Sequence, residues 1–316
     1  MFFRYTLKYI HSYILLRYNT MPVRVSNELP AIKILQQENI HIFKKTQDIF
    51  QSSRVLKILI LNLMPKKIDT ENQFLRLLSY SPLQIDVQLL RIDNHIPKNT
   101  SIEHMKNFYC TFSDIQNQNF DGLIVTGAPL GLIDFHHITF WPQITQLCYW
   151  AKTHITSILF ICWSVQAALK ILYNFPRFVR KKKLVGIYQH KLIKVNTHLT
   201  TGFDKIFTAP HSRFSDFPKH FIHQYTDLEI LAESDDAGVY LLISKNHQLI
   251  FVTGHPEYDA NTLAQEYYRD LRQGLHPSLP DHYFPNNNTH HIPQITWRKH
   301  AYLLFNNWIH YYVSNP

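Results

Sequence analysis

Three residues of the chain have the side chains needed for nucleophilic catalysis by a thiol: Cys162, His255 and Glu257. A histidine can take the proton of a cysteine thiol and later the proton of an incoming nucleophile. A carboxylate two residues beyond the histidine can fix its tautomer and stabilise the imidazolium ion. Because Cys162 is far from the other two residues in the sequence, the chemistry requires a fold that brings them together.

The sequence around Cys162 predicts a junction between a strand and a helix. Residues 158–161 are apolar without alternation, as in a strand that is covered on both faces of a parallel sheet. Residues 166–170 are good helix formers. The first free N–H groups of such a helix would favour the thiolate form of Cys162. The alternative is a cysteine buried as an ordinary apolar residue, which is common for free cysteines.

The rest of the chain predicts the sheet that would position these residues. Apolar runs at 56–63, 85–92 and 120–125 alternate with helical segments, which indicates an α/β fold with a mostly parallel sheet flanked by helices. Asp69 or Thr70 is predicted to cap the helix that follows the first of these strands. Shorter alternating segments predict added antiparallel strands at 184–193, 229–233, 239–244 and 249–253. Further helices are predicted at 141–152, 262–275 and 297–312.

Two loops follow predicted strands at the edge where open α/β sheets bind ligands. The loop from Thr126 to Gly131 is small and has two glycines, which would let main-chain N–H groups approach a substrate as oxyanion donors. An ordinary strand-ending turn would have a similar sequence. The second loop carries His255 and Glu257.

Composition excludes several classes of protein. At 316 residues, with 45% hydrophobic and 14% aromatic residues, the chain is long and apolar enough for a globular core. Its three cysteines lack the spacing of a disulfide framework or a zinc site, which favours a reducing, cytoplasmic compartment. The net charge of +9 invites a nucleic-acid hypothesis. The basic residues are mostly scattered, however, and the dense run at 177–183 is short, as on a solvated face.

The chain divides into three parts. Residues 1–20 are aromatic and basic, with an apolar piece too short to span a membrane and no cleavage pattern of a signal peptide. We expect them to be a dispensable extension from an upstream start. Residues 21–52 are predicted to be an N-terminal arm that wraps the domain or meets a partner. Residues 53–316 are predicted to form a single α/β domain.

The order of a cysteine followed by His-x-Glu resembles the class I glutamine amidotransferase-like superfamily, in which the nucleophile lies on a strained elbow. That resemblance implies a flavodoxin-like sheet. Amidotransferases usually have glycines two residues before and after the cysteine, whereas this chain has Phe160 and Ser164. Glutamine hydrolysis is therefore disfavoured.

Six sets of motifs carry a closer resemblance, and together they cover nearly all of the chain from Met21 onward, which leaves out only residues 1–20. They are MPVRV with ELPA, NLMPKK with TENQFLRLL, VTGAPLG, Cys162-Trp163 with QAAL, APHSR at 209–213, and TGHPEYD at 253–259. With these motifs the chain resembles the homoserine O-succinyltransferase family, in which alanine is common at the position of Ser164.

The resemblance implies an acyl transfer in two steps. Cys162 would attack the thioester of succinyl-CoA, and His255, oriented by Glu257, would then deprotonate the hydroxyl of L-homoserine. Substrate-binding positions of the family match Lys183, Ser212 and Arg269, where Arg269 would pair with the homoserine carboxylate and Ser212 would also influence substrate specificity. The acyl donor would be selected at Gly131, where glycine leaves room for the succinyl carboxylate and glutamate would favour an acetyl group. The basic run would gain a function through Lys183.

The resemblance also implies small-molecule substrates only, with succinyl-CoA as co-substrate, no cofactor, no metal, no nucleic acid, no membrane and a homodimer in methionine biosynthesis. Two alternatives remain open. One is a homoserine O-acetyltransferase that uses acetyl-CoA. The other is an inactive regulatory or binding homologue that kept the fold and uses its basic surface for nucleic acid.

Overall fold

The structure is a computed structural model that describes residues 23–46, 54–93, 95 and 97–315. The predictions for residues 1–20 therefore lie outside the described residues. Among the described residues no helix is both long and apolar enough to cross a membrane.

The described residues form one sheet of twelve strands in the order β2-β1-β4-β3-β6-β7-β12-β11-β10-β8-β9, with β5 beside β4. The strands are β1 Val23–Val25, β2 Ile42–Lys44, β3 Leu56–Leu61, β4 Ile85–Leu90, β5 Tyr109–Cys110, β6 Phe120–Val125, β7 Ile155–Ile161, β8 Phe178–Leu192, β9 Ile206–Asp216, β10 Leu228–Ser234, β11 Gly238–Ser244 and β12 Leu249–Val252.

The pairing is parallel from β2 to β12 and antiparallel from β12 to β9. The predicted mostly parallel sheet with added antiparallel strands is thus confirmed. β12, predicted among the antiparallel strands, instead runs parallel to β7 and is antiparallel only to β11. β7 lies between β6 and β12, with Phe160 opposite Val125 and Ile161 opposite Val252. Because parallel strands end at the same edge, the loops after β6, β7 and β12 meet there.

Nine α-helices lie within the described residues and cover the sheet. They are α1 Ala31–Gln37, α2 Lys67–Leu78, α3 Ile102–Phe108, α4 Phe112–Ile115, α5 Trp141–His154, α6 Trp163–Tyr173, α7 Lys219–Ile222, α8 Thr262–Arg272 and α9 Arg298–Trp308, followed by a π-helical turn Ile309–Val313. Leu159 and Ile161 belong to the core on one face of the sheet, and Ile158 and Phe160 to the core on the other. This two-sided burial explains why β7 is apolar without alternation.

Two further details differ from the sequence predictions. The cap predicted at Asp69 or Thr70 is wrong, because α2 begins at Lys67 and the hydroxyl of Thr70 donates to the carbonyl of Lys66 one turn back. The sequence also did not predict β9, which pairs with β8 at the antiparallel edge of the sheet. Pro210 lies within β9 opposite Ile187, and an edge strand can accept a proline because its outer side needs no ladder hydrogen bonds.

Part of the predicted N-terminal arm lies at the opposite edge of the sheet. β1 pairs in parallel with both β2 and β4, and α1 lies between the two short strands in sequence. Arg24 on β1 also forms an ion pair of 3.0 Å with Asp86 on β4.

The junction after β7 is braced by Ser164. Its hydroxyl oxygen lies 2.8 Å from the backbone nitrogen of Ile161, which donates to it, and 2.8 Å from the carbonyl oxygen of Val125 on β6. All three groups are buried. The hydroxyl therefore satisfies the last N–H of β7 and ties this strand to its neighbour.

We expect Ser164→Ala to lower the free energy of unfolding by about 1–3 kcal/mol, because it leaves the buried N–H of Ile161 without this acceptor. Urea denaturation would measure the change. Ser113→Ala at an exposed position is the control and should change stability by less than about 0.5 kcal/mol. Equal stabilities of the two variants would contradict the bracing role.

A buried histidine pair makes stability depend on pH. His190 on β8 and His211 on β9 lie with their Nε2 atoms 3.0 Å apart, and both are almost inaccessible to solvent. Burial lowers the pKa of His190 to about 3 and lowers that of His211 well below its usual value. Both side chains are therefore neutral in the folded protein at neutral pH.

The unfolded chain binds these protons near pH 6.5, whereas the folded chain does not. The contribution of this pair to the free energy of unfolding should therefore be complete above this pH. Below it, the contribution should decrease by up to about 1.4 kcal/mol per pH unit for each histidine. Urea denaturation at pH 7.5, 6.5 and 5.5 measures this slope. His190→Gln should show a shallower slope. A slope in His190→Gln as steep as that of the parent would disprove the assignment.

Candidate active site

Cys162 lies at the carboxyl end of β7, one residue before α6. Its backbone has φ 55° and ψ −111°, a conformation that costs a non-glycine residue on the order of 1–3 kcal/mol. Its N–H donates to the carbonyl of Val252 on β12 at 2.8 Å, which holds the elbow against the neighbouring strand. The thiol is 3.9 Å from the carbonyl oxygen of Ser212. Cys162 is thus a strained turn residue directly before the free N–H groups of a helix.

His255 and Glu257 lie in the loop after β12. The two side chains are 3% and 1% exposed, and Nδ1 of His255 is 2.7 Å from Oε1 of Glu257. The ring of Tyr258 stacks on the imidazole with centroids 4.1 Å apart. The backbone N–H of His255 donates to the carbonyl of Pro210 on β9. The imidazole is thus fixed by a carboxylate, an aromatic face and its own backbone.

Gly127 shows how closely the thiol and the imidazole approach the loop after β6. A Cβ at this position would lie 3.0 Å from Cε1 of His255 and 3.3 Å from Cβ of Cys162. The glycine therefore lies against both side chains, and a larger residue would displace the imidazole. The fold thus brings Cys162, His255 and the small loop together at one edge of the sheet.

The electrostatics of this group favour a protonated His255. Burial alone would lower the pKa of His255, but the negative charges of Cys162 and Glu257, with their hydrogen bonds, raise it well above the usual value. A thiolate paired with an imidazolium is the reactive form of a cysteine nucleophile.

A cavity of about 710 Å³ opens beside the thiol. Its lining includes Cys162 and His255 together with the other residues singled out from the sequence except Glu257: Gly131, Lys183, Ser212 and Arg269. Glu257 contacts His255 from outside this lining. The fold therefore places residues from the end of β7, from β8, β9 and α8, and from two loops in the wall of one cavity.

Glu266 on α8 is a site residue that the sequence analysis did not assign. Its Oε2 atom is 2.9 Å from Nζ of Lys183 and 2.5 Å from the hydroxyl of Ser212, and its Oε1 atom accepts from the hydroxyl of Tyr258 at 2.9 Å. Burial raises its pKa, but Lys183 and the Ser212 hydroxyl outweigh burial and lower the pKa of Glu266 below its usual value. Its position three residues before Arg269, on the same helical face, is the one signal in the sequence.

Arg269 and Gly131 also line the cavity. Arg269 is 45% exposed and pairs with Asp270 at 2.7 Å, so its guanidinium borders the cavity while bound to a neighbouring carboxylate. Gly131 accepts a hydrogen bond from Arg177 at its carbonyl oxygen. A Cβ at Gly131 would meet Phe214 at 3.4 Å, which is an ordinary contact.

Within the described part of the chain, the side chains that could jointly hold a metal ion are Asp134, His136 and His137, whose ligand atoms lie within 4.8 Å of one another. All three are exposed, and Asp134 pairs with Arg177 at 2.6 Å. None of the predicted site residues belongs to this group.

The fold resembles that of known glutamine amidotransferases. A glutamine amidotransferase from Thermotoga maritima matches with a TM-score of 0.51 at 14% sequence identity, over 81% of this chain and 98% of that protein. A glutamine amidotransferase from Methylobacillus flagellatus matches with a TM-score of 0.50 at 13% identity, over 82% of this chain and 95% of that one. These similarities confirm the predicted class I glutamine amidotransferase-like fold.

Sequence comparison is more specific. A homoserine O-succinyltransferase of Blochmanniella pennsylvanica is 69% identical over 93% of this chain and 97% of its own length. A probable acyltransferase of Sodalis glossinidius is 60% identical, and a homoserine O-succinyltransferase of Pectobacterium carotovorum is 59% identical, each over 93% of this chain and 95% of its own length. The family model for homoserine O-succinyltransferase matches residues 22–316. The chain therefore belongs to the homoserine O-succinyltransferase family, a family of acyltransferases.

Proposed function

We propose that this protein transfers a succinyl group from succinyl-CoA to the hydroxyl of L-homoserine through a thioester on Cys162. The observation that supports the proposal most directly is the strained Cys162 beside the His255–Glu257 pair at the wall of a cavity. Membership of the family supplies the reaction type.

In the first step the Cys162 thiolate attacks the thioester carbonyl of succinyl-CoA. The CoA thiolate leaves and takes the proton from the His255 imidazolium. The candidate oxyanion donors are the first N–H groups of α6, which lack partners within the helix, and the N–H groups of the loop from Gly127 to Gly131. Cys162 then carries the succinyl group as a thioester.

In the second step neutral His255 accepts the proton of the homoserine hydroxyl while the hydroxyl oxygen attacks this thioester. O-Succinyl-L-homoserine leaves and the imidazolium–thiolate pair is restored. Glu257 keeps Nδ1 of His255 bonded, so that Nε2 faces the reaction. Because one histidine gives a proton in the first step and takes one in the second, a single pair of groups serves both halves of the reaction.

The substrates would be held by charge. Glu266, which stays ionised, suits the ammonium group of homoserine, and Arg269 suits its carboxylate. Lys183 and Ser212 hold Glu266 in place and line the same cavity. We further propose that the protein needs no cofactor or metal, works in methionine biosynthesis in the cytoplasm, and forms a homodimer.

The succinyl group is preferred to the acetyl group because its free carboxylate needs space and positive charge. Gly131 adds no side chain to the cavity, and Lys183 and buried Arg213 are cations of its lining. A homoserine O-acetyltransferase remains the second candidate. A comparison of turnover with succinyl-CoA and acetyl-CoA separates the two.

Succinyl-CoA without homoserine should release CoA in a burst of about one equivalent per active site and leave a succinyl thioester on Cys162. Thiol titration and intact-protein mass spectrometry would measure the two events. Cys162→Ala should show neither event, whereas Cys110→Ala should show both. Turnover of Cys162→Ala at the parent rate would disprove the assignment of the nucleophile.

Gly131→Glu should lower kcat/KM for succinyl-CoA relative to acetyl-CoA by about 10- to 100-fold, because a carboxylate would repel the succinyl carboxylate at close range. Gly131→Gln is the matched control, with nearly the same size and no charge. Steady-state kinetics with both donors would measure the ratio. A shift of the same size in both variants would show that space, and not charge, selects the donor.

Nucleic-acid binding is the remaining alternative from another class. If the basic surface of an inactive homologue served this purpose, the protein would bind DNA at low salt and lose the affinity as salt rises. We expect no binding at low salt in a fluorescence-anisotropy titration, together with the CoA burst described above.

A further inference from the structure

Arg76 on α2 connects three parts of the chain that are distant in sequence. Its Nε and Nη2 atoms donate to the two carboxylate oxygens of Glu38 at 2.6 and 2.7 Å, and its Nη1 atom donates to Oδ1 of Asp259 at 2.8 Å. Glu38 directly follows α1, in the segment that carries β1 and β2. Asp259 lies two residues after Glu257. The guanidinium is thus shared between the N-terminal segment and the loop of the active site.

Asp259 is also held from a second side. Nη2 of Arg298, at the start of α9, donates to the same Oδ1 atom at 2.9 Å. The backbone N–H of Asp259 donates to the hydroxyl of Thr262, and Nε1 of Trp297 donates to the carbonyl of Tyr258 at 3.0 Å. The loop therefore has fixed points just after Glu257.

The loop is fixed before Glu257 as well. The N–H of His255 donates to the carbonyl oxygen of Pro210 at 2.8 Å. A Cβ at Gly254 would lie 2.7 Å from that oxygen, so the backbone of the loop lies close against β9. The segment with His255 and Glu257 is thus bound to β9 at its start and held by the Asp259 contacts at its end. Loss of the Asp259 contacts would leave, among these anchors, only the bonds from His255 to Pro210 and from Trp297 to Tyr258 for a loop whose imidazole must stay aligned with the thiol.

The charges of this cluster make Arg76 more than a packing residue. It is 8% exposed. Burial acts to lower its pKa, but Glu38 and Asp259 outweigh burial and raise it, so the guanidinium stays charged. A buried cation holds its carboxylates in fixed directions because each guanidinium N–H has a defined geometry.

We propose that Arg76 is a positioning residue that, by joining Glu38 to Asp259, fixes the loop carrying His255 and Glu257 and so aligns the imidazole with Cys162. The role in turnover rests on the proposed acyl transfer. The role in alignment does not, because the reactivity of the thiol can be measured without either substrate. The N-terminal segment would then contribute to the active site through Glu38 although it supplies no group that reacts.

Asp259→Asn and Glu38→Gln test the proposal, because each keeps the size of the side chain and removes its charge. Asp86→Asn is the matched control: it weakens the Arg24 ion pair, which ties the same N-terminal segment to β4. Two measurements are made on each protein at pH 7. The first is kcat and KM with succinyl-CoA and homoserine, and the second is the rate of alkylation of Cys162 by iodoacetamide without substrates.

The alkylation measurement is selective among the three thiols. Burial raises the pKa of Cys110 to about 11 and that of Cys148 to about 12, so both are largely protonated at pH 7. Peptide mass spectrometry identifies the modified residue.

For Asp259→Asn we expect kcat to fall by about 10- to 100-fold, because a displacement of the imidazole by up to about 1 Å has an effect of this size. KM for succinyl-CoA should be nearly unchanged. Alkylation of Cys162 should slow in the same variant. Glu38→Gln, in which Arg76 keeps its bond to Asp259, should show a smaller fall in both quantities. Asp86→Asn should keep the parent kcat and the parent alkylation rate.

Parent values of kcat and alkylation in Glu38→Gln would overturn the proposal even if Asp259→Asn shows losses, because Asp259 also binds Arg298. Equal losses in Asp86→Asn would also overturn it, because they would show a general effect of destabilising the N-terminal segment. Failure of the acyl-transfer proposal looks different: the parent protein would then release no CoA from succinyl-CoA, while the alkylation rates would still compare the variants.

Discussion

The backbone conformation of Cys162 is the constraint on which the site depends. A strand ends and a helix begins within one residue, and the positive φ of that residue is unfavourable for cysteine. Only a rigid surrounding can maintain it. β7 supplies this rigidity because it is paired on both sides, its last N–H is bound by Ser164, and the N–H of Cys162 itself is bound by Val252. The thiol is therefore presented from the end of a strand that is hydrogen-bonded on both sides.

Around this elbow the protein buries several charges and pairs most of them. His255 has Glu257, and Glu266 has Lys183 with two hydroxyl groups. One oxygen departs from this rule: Oε2 of Glu257 has no hydrogen-bond partner among the described residues. The charge of this carboxylate is one of the causes that raise the pKa of His255. The arrangement therefore favours a proton on the imidazole.

The sequence predicted those parts of the molecule whose signal is local. Burial on both faces of a parallel strand produces an unbroken apolar run, so β6 was predicted at 120–125, where the structure has it, and the strand end at Cys162 was equally visible. β9 could not be predicted in this way, because Pro210, His211 and Arg213 are buried there by contacts with distant residues. The partners of Glu266 were invisible for the same reason, since they come from three separate elements.

The close approach at Gly127 limits how the site can vary. Any side chain at that position would push on the imidazole, whereas a side chain at Gly131 would begin with an ordinary contact to Phe214. A substitution at Gly127 would therefore require the imidazole to shift, whereas one at Gly131 would not. Gly127 and Gly131 are four positions apart in the chain, so the steric limit set by the imidazole at one end of the loop does not extend to the other end.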